Sequence, residues 1–129
     1  MHKVSGIGGF FFRAKDPDAI AAWYRDNLGI DPVSMTEGAE AWRQEAGETA
    51  FTAMDGVVDQ FGAADKVWAI NFRVPDLDGM VEQLRAAGTA VEVDPTTYSM
   101  GRFASLADPE GNPIQLWQPA EEEEEVAAQ

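Results

Sequence analysis

The chain has 129 residues, 45% of them apolar, which suits one domain or two half-sized modules sharing a core. It carries 23 acidic residues against 9 basic ones, a formal charge of -14, and no cysteine. Such a field repels nucleic-acid phosphate, disulfide and thiol chemistry are excluded, and no apolar run approaches the ~20 residues of a transmembrane helix. Five of the acids form the run 121–125, and without them the charge is still -9, which favours solubility and leaves room for a cationic ligand. Residues 1–12 are too strand-like for a secretory signal, so a cytoplasmic location is the expectation.

Residues 4–14 alternate as a strand does, with Phe10, Phe12 and Ala14 on one face and Gly9, Phe11 and Arg13 on the other. Asp16-Pro17 then opens a helix: Asp16 suits the cap and Pro17 the first helical position. Ile20, Ala21, Tyr24 and Leu28 form its apolar stripe, and Gly29 stops it. Three short strands are expected at about 31–35, 39–45 and 49–54, separated by Glu37-Gly38 and Gly47. Residues 55–66 are polar, without a clear period, and read as a linker.

Residues 67–74 repeat the opening pattern as a strand, with Ile70, Phe72 and Val74 opposite Ala69, Asn71 and Arg73. Pro75-Asp76 starts a second helix with Leu77, Met80, Val81 and Leu84 as its stripe and Gly88 beyond its end. A strand at 89–93 and a loop at 94–100 follow. The stretch GRFASLADPEGNPIQLWQP, residues 101–119, reads as a hairpin. Phe103, Ser105 and Ala107 alternate with Arg102, Ala104 and Leu106, and Ile114 and Leu116 alternate with Gln115 and Trp117. Asp108-Pro109-Glu110-Gly111-Asn112 makes its turn. Residues 120–129 form an acidic tail expected to be disordered.

A shift of 60 positions superimposes the two halves: Phe12 falls on Phe72, Arg13 on Arg73, Asp16 on Asp76, Asp18 on Asp78, and Tyr24 on Leu84. Each half therefore reads β-α-β-β-β, with modules at about 4–54 and 67–119 in one domain, 1–119. The expected fold is α+β: two tandem βαβββ modules forming a cupped mixed sheet with the helices on its outer face. The inner faces are left to line a cleft.

With its two openings, GFFFRAKDPDAIAAWYRDNLG and AINFRVPDLDGMVEQLRAAG, and its ending DPEGNPIQLWQP, the chain resembles the vicinal oxygen chelate superfamily. That superfamily includes glyoxalase I, extradiol dioxygenases and bleomycin resistance proteins. The resemblance implies a homodimer, and for the family's enzymes a metal held by His or Glu on the first strand of each module and Glu on the last. The matching positions here are Gly9, Ala69, Thr52 and Gln115. None supplies a charged or imidazole ligand, so no metal and no cofactor are expected. Glu45 and Glu92 are other carboxylates within reach of such a role, without a motif behind them.

Other chemistry is poorly supplied. Ser5, Ser34, Ser99 and Ser105 lack a usable histidine, because His2 is the single one and sits near the terminus. Residues 6–9, GIGG, precede a strand and are not a phosphate loop. The cleft, by contrast, has aromatic candidates for stacking in Phe11, Trp42, Trp68, Tyr98 and Trp117. Arg13, Asn71, Arg73, Arg102 and Gln115 are the candidates for orienting polar groups. The favoured reading is a metal-free cleft that binds a small aromatic or cationic molecule, as bleomycin resistance proteins do. The alternatives are a divalent-metal-dependent lyase, isomerase or dioxygenase with an atypical site, and a regulatory protein that docks through its acidic tail.

Overall fold

The described residues of the computed structural model are 1–31, 42–54, 61 and 65–121, and their regular structure is two helices and one four-stranded sheet. Helix α1, Pro17–Leu28, begins where the Asp16 carboxylate accepts the Ala19 N–H at 3.1 Å. It ends where Gly29 takes a left-handed conformation, φ 72°. Helix α2, Leu77–Ala86, starts in the same way, with Asp76 accepting the Gly79 N–H at 3.0 Å. Each cap satisfies a backbone donor that has no partner inside the helix, an interaction of about 1 kcal/mol. The two capping residues are the pair that the 60-residue repeat superimposes.

The strands are β1 (Ile70–Arg73), β2 (Glu92–Val93), β3 (Gly101–Ala107) and β4 (Pro113–Pro119), in the order β1-β4-β3-β2. Strands β3 and β4 form the expected antiparallel hairpin, Leu106 opposite Ile114 and Phe103 opposite Trp117. Strand β1 runs parallel to β4 with Asn71 opposite Gln115, and α2 makes the connection such a pairing requires. Ala104, Leu106, Ile114 and Leu116 lie on one face of the sheet. They bury against Leu77, Val81 and Leu84 of α2 and Ile20 and Tyr24 of α1. The side chain of Gln118, also on this face, accepts the Leu77 N–H at 2.7 Å and fixes the start of α2 to the sheet.

The first half departs from the expected module. Residues 4–14 and 49–54 belong to no strand, nor do 42–45. Most of the expected strand 31–35, the start of 39–45 and most of the linker lie outside the described residues. So does 122–129 of the tail. An alternating sequence dictates an extended chain with two distinct faces, whereas a strand needs a hydrogen-bonded neighbour as well. The faces do survive. Phe12 and Ala14 pack against the core, while Phe11 is 83% exposed and Arg13 also points to solvent.

One buried polar cluster joins the halves. Asp108, 4% exposed, accepts the Tyr24 hydroxyl at 2.6 Å and the Asn112 Nδ2 at 2.7 Å. Its other oxygen takes the backbone N–H groups of Glu110 and Asn112 at 2.9 and 3.0 Å. Glu110 reaches the other way, accepting the N–H groups of Lys15 and Asp16 at 2.7 and 3.0 Å. The hairpin turn thus holds the entry to α1 through Lys15 and Asp16, and the helix itself through Tyr24.

Candidate functional site

Strand alternation leaves the second face of the sheet without a covering helix. Across it, from β2 to β1, one row reads Glu92, Ser105, Gln115, Asn71, each directly opposite the next. The next row contains Phe103, Trp117 and Arg73. Glu92, Ser105 and Asn71 are exposed, and Phe103, Gln115, Trp117 and Arg73 are half-buried.

The aromatic part of this face is ordered by specific contacts. The Phe103 and Trp117 rings lie nearly parallel, 9° apart in plane, with centroids at 6.4 Å. Tyr98 meets Phe103 edge-on at 5.8 Å. Both geometries are the favourable ones for aromatic quadrupoles. The Trp117 Nε1 donates to the Met100 carbonyl at 2.8 Å, which pins the indole. Gly101 makes room for it: its φ is 131°, and a Cβ there would collide with the Gln118 carbonyl and crowd the indole nitrogen. Tyr98 is set by Asp94, whose carboxylate accepts the hydroxyl at 2.9 Å and the Thr96 N–H at 3.0 Å. The Thr96 N–H, and then the Tyr98 hydroxyl, hold Asp94 below the usual carboxylate range.

Beside the aromatic pair lie the polar groups. Asn71 Nδ2 donates to Gln115 Oε1 at 2.7 Å, so the two amides orient each other across β1 and β4. Arg73 donates to the Glu45 carbonyl at 3.1 Å, using one of the five N–H donors of a guanidinium. Gly47 lets the chain pass this close, since a Cβ on it would overlap the guanidinium.

Of the ten residues singled out from the sequence, Tyr98, Asn71, Arg73, Gln115 and Trp117 come together here. Arg102 does not. It faces α2 and pairs with both oxygens of Asp78 at 3.0 and 3.2 Å, an ion pair that lowers the Asp78 pKa. Trp68 lies on the core side against Phe10 and Phe12, at 5.0 and 6.0 Å. Its parity with Ile70 and Phe72 already places it there. Trp42 packs on Phe72, at the β1 edge of the core face. Phe11 and Arg13 are exposed, and among the described residues neither makes a hydrogen bond or ring contact to the five. Phe103, not among the ten, joins them on the open face opposite Trp117, where its alternation with Ala104 puts it.

The resemblance drawn from the sequence implies a metal in the family's enzymes, and the residues at the matching positions here do not fit one. Gly9 and Ala69 carry no donor atom, Thr52 is a neutral, exposed hydroxyl, and the Gln115 oxygen is engaged by Asn71. Among the described residues no three His, Cys, Asp or Glu side chains gather where they could hold an ion.

Comparison with known proteins assigns the family. Residues 6–116 match the model of the Glyoxalase/Bleomycin resistance protein/Dioxygenase superfamily, and the chain belongs to that superfamily. A Mycobacterium tuberculosis protein named "Putative glyoxylase CFP32" is 31% identical over 112 residues, as is its Mycobacterium bovis counterpart. The alignment takes in 81% of this chain but only 40% of the length of those relatives. Among solved structures, TnmS3, an antibiotic binding protein from Streptomyces sp. CB03234, superimposes with a TM-score of 0.63. It is 22% identical, with 93% of this chain and 100% of that one covered. Lactoylglutathione lyase from Agrobacterium tumefaciens gives a TM-score of 0.58 at 22% identity, covering 91% and 96%. At these identities the likeness shows a shared α+β fold. No helix among the described residues is long and apolar enough to cross a membrane.

Proposed function

We propose that this protein binds a small planar aromatic molecule on the open face of its sheet, without a metal. The observation that carries this is the near-parallel Phe103–Trp117 pair, pinned through Met100 and flanked by the Asn71–Gln115 amides and Arg73. Rigid aromatic surface beside a few oriented polar groups is the usual make-up of a small-molecule site. Among the described residues a donor set unsuited to a divalent metal favours binding over metal-dependent turnover, and an antibiotic binding protein shares the fold. The charge of -14 favours cationic ligands. The working unit in this reading is a homodimer. Phe11, Phe51 and Val67 are each more than four-fifths exposed, and apolar surface of that kind suits cover by a second copy.

The test is calorimetric titration of a library of planar aromatic compounds into the protein and its Trp117→Ala variant, both in chelator. Stacking on one aromatic side chain contributes about 1–3 kcal/mol, so the variant is expected to bind roughly 5- to 150-fold more weakly. Binding that is unchanged in Trp117→Ala, or that requires a divalent metal, would contradict the proposal.

A further inference from the structure

Among the described residues, the charges that the four strands place on the open face are sorted by strand. Arg73 lies on β1, at one edge of the sheet. Glu92 lies on β2, at the other edge, with Asp94 just beyond the end of that strand. Between them, on β3 and β4, are the Phe103 and Trp117 rings. Neighbouring strands lie about 4.8 Å apart and Glu92 sits one row along from Arg73, so the two charged positions are separated by about 16 Å at the backbone. That is the span of a fused aromatic system carrying one polar substituent at each end.

From this arrangement we infer that the site selects a planar aromatic zwitterion, laid across the strands with its carboxylate toward Arg73 and its ammonium toward Glu92. This rests on the aromatic platform proposed above and adds both a ligand class and an orientation. The guanidinium is suited to the carboxylate, because it presents paired N–H donors in a plane. Next to it the Asn71–Gln115 pair offers neutral amide groups to the same end of the ligand. At the opposite edge Glu92 is an exposed acceptor in register with Ser105, and Asp94 adds a second negative charge. A ligand with a single charge satisfies one edge only. A ligand reversed end for end meets like charge at both.

Three acridines of equal ring size separate the possibilities: an aminomethyl-acridine whose side-chain ammonium is the cation, an acridine carboxylate, and an acridine bearing both groups at opposite ends. Each is titrated calorimetrically into the full chain at neutral pH. The zwitterion is expected to bind about tenfold more tightly than either singly charged probe, the effect of one added charge-assisted contact. Arg73→Gln is expected to weaken the carboxylate and the zwitterion by about tenfold and to leave the cation unchanged. Glu92→Lys is expected to weaken the cation and the zwitterion and to strengthen the carboxylate. Thermal melts of both variants confirm that they are folded, and Arg73→Lys separates the charge from the planar fork. Equal affinity for all three probes, with both variants binding as the parent does, would overturn the charge-sorting inference and leave the aromatic platform standing. Failure of every acridine to bind the parent would overturn both.

Discussion

Removing the hydroxyl of Tyr24 tests the polar cluster that ties α1 to the hairpin. Tyr24→Phe keeps the ring, and with it the edge-on contacts to Phe12 at 6.0 Å and Trp23 at 5.1 Å. It deletes one donor, the 2.6 Å bond to Asp108. Asp108 retains the Asn112 Nδ2 and two backbone N–H groups, so the carboxylate is not stranded. The loss then sits at the low end of the range for a hydrogen bond to a charged group, about 1.5 kcal/mol. With an unfolding entropy of about 2.1 cal/mol/K per residue, that lowers Tm by roughly 5 °C. Asp108→Ala leaves several buried donors without an acceptor and is expected to destabilise by about 3 kcal/mol or more. Urea unfolding of both variants and of the double mutant closes the cycle, with a coupling energy above about 1 kcal/mol. Tyr24→Phe within about 0.5 kcal/mol of the parent would refute the cluster as a tether between the halves. Ligand affinity is expected to be unchanged, since neither residue lies on the open face.

Three further outcomes are expected. Gly101→Ala forces a side chain into a positive-φ position against the Gln118 carbonyl, and should destabilise by about 1–3 kcal/mol while releasing the Trp117 indole, visible as a shift in its fluorescence. Gly47→Ala meets the flexible end of Arg73 rather than backbone, so Tm should hold within a degree or two of the parent while carboxylate-bearing probes bind less well. Burial first, and then the bond to Asp108, raise the Tyr24 pKa far above its ordinary value of 10.0. The folded state therefore favours the neutral phenol; its contribution is complete below about pH 10 and is lost as pH rises above that. Ultraviolet titration of tyrosinate should show the Tyr24 step only as the chain unfolds in alkali, and Tyr24→Phe should remove that step.

What could be read from the chain was local in origin. Asp16-Pro17 and Asp76 marked helix starts because a cap acts within three residues, and Asp108 to Asn112 marked the hairpin because turn chemistry acts within five. Alternation placed Asn71, Gln115 and Trp117 on one face correctly. The same alternation assigns Trp68 and Arg102 to the core side; treating them as cleft residues overrode it. The Tyr24–Asp108 bond spans 84 positions and the Arg102–Asp78 pair 24, and nothing in the local pattern announces either. The first module shows the limit most clearly. Residues 4–14 carry a strand's two faces, but a ladder depends on a partner that the segment itself does not specify.

The central claim is that the Phe103–Trp117 surface binds a planar aromatic molecule without a metal. The most direct measurement follows the four indole N–H signals by nitrogen-15 NMR while an aminomethyl-acridine carboxylate is titrated in excess chelator. The account requires the Trp117 signal to shift saturably, with Trp23 and Trp68, on the core side, unmoved. Shifts confined to Trp42 or Trp68, or a Trp117 response that appears only when a divalent metal replaces the chelator, would contradict it.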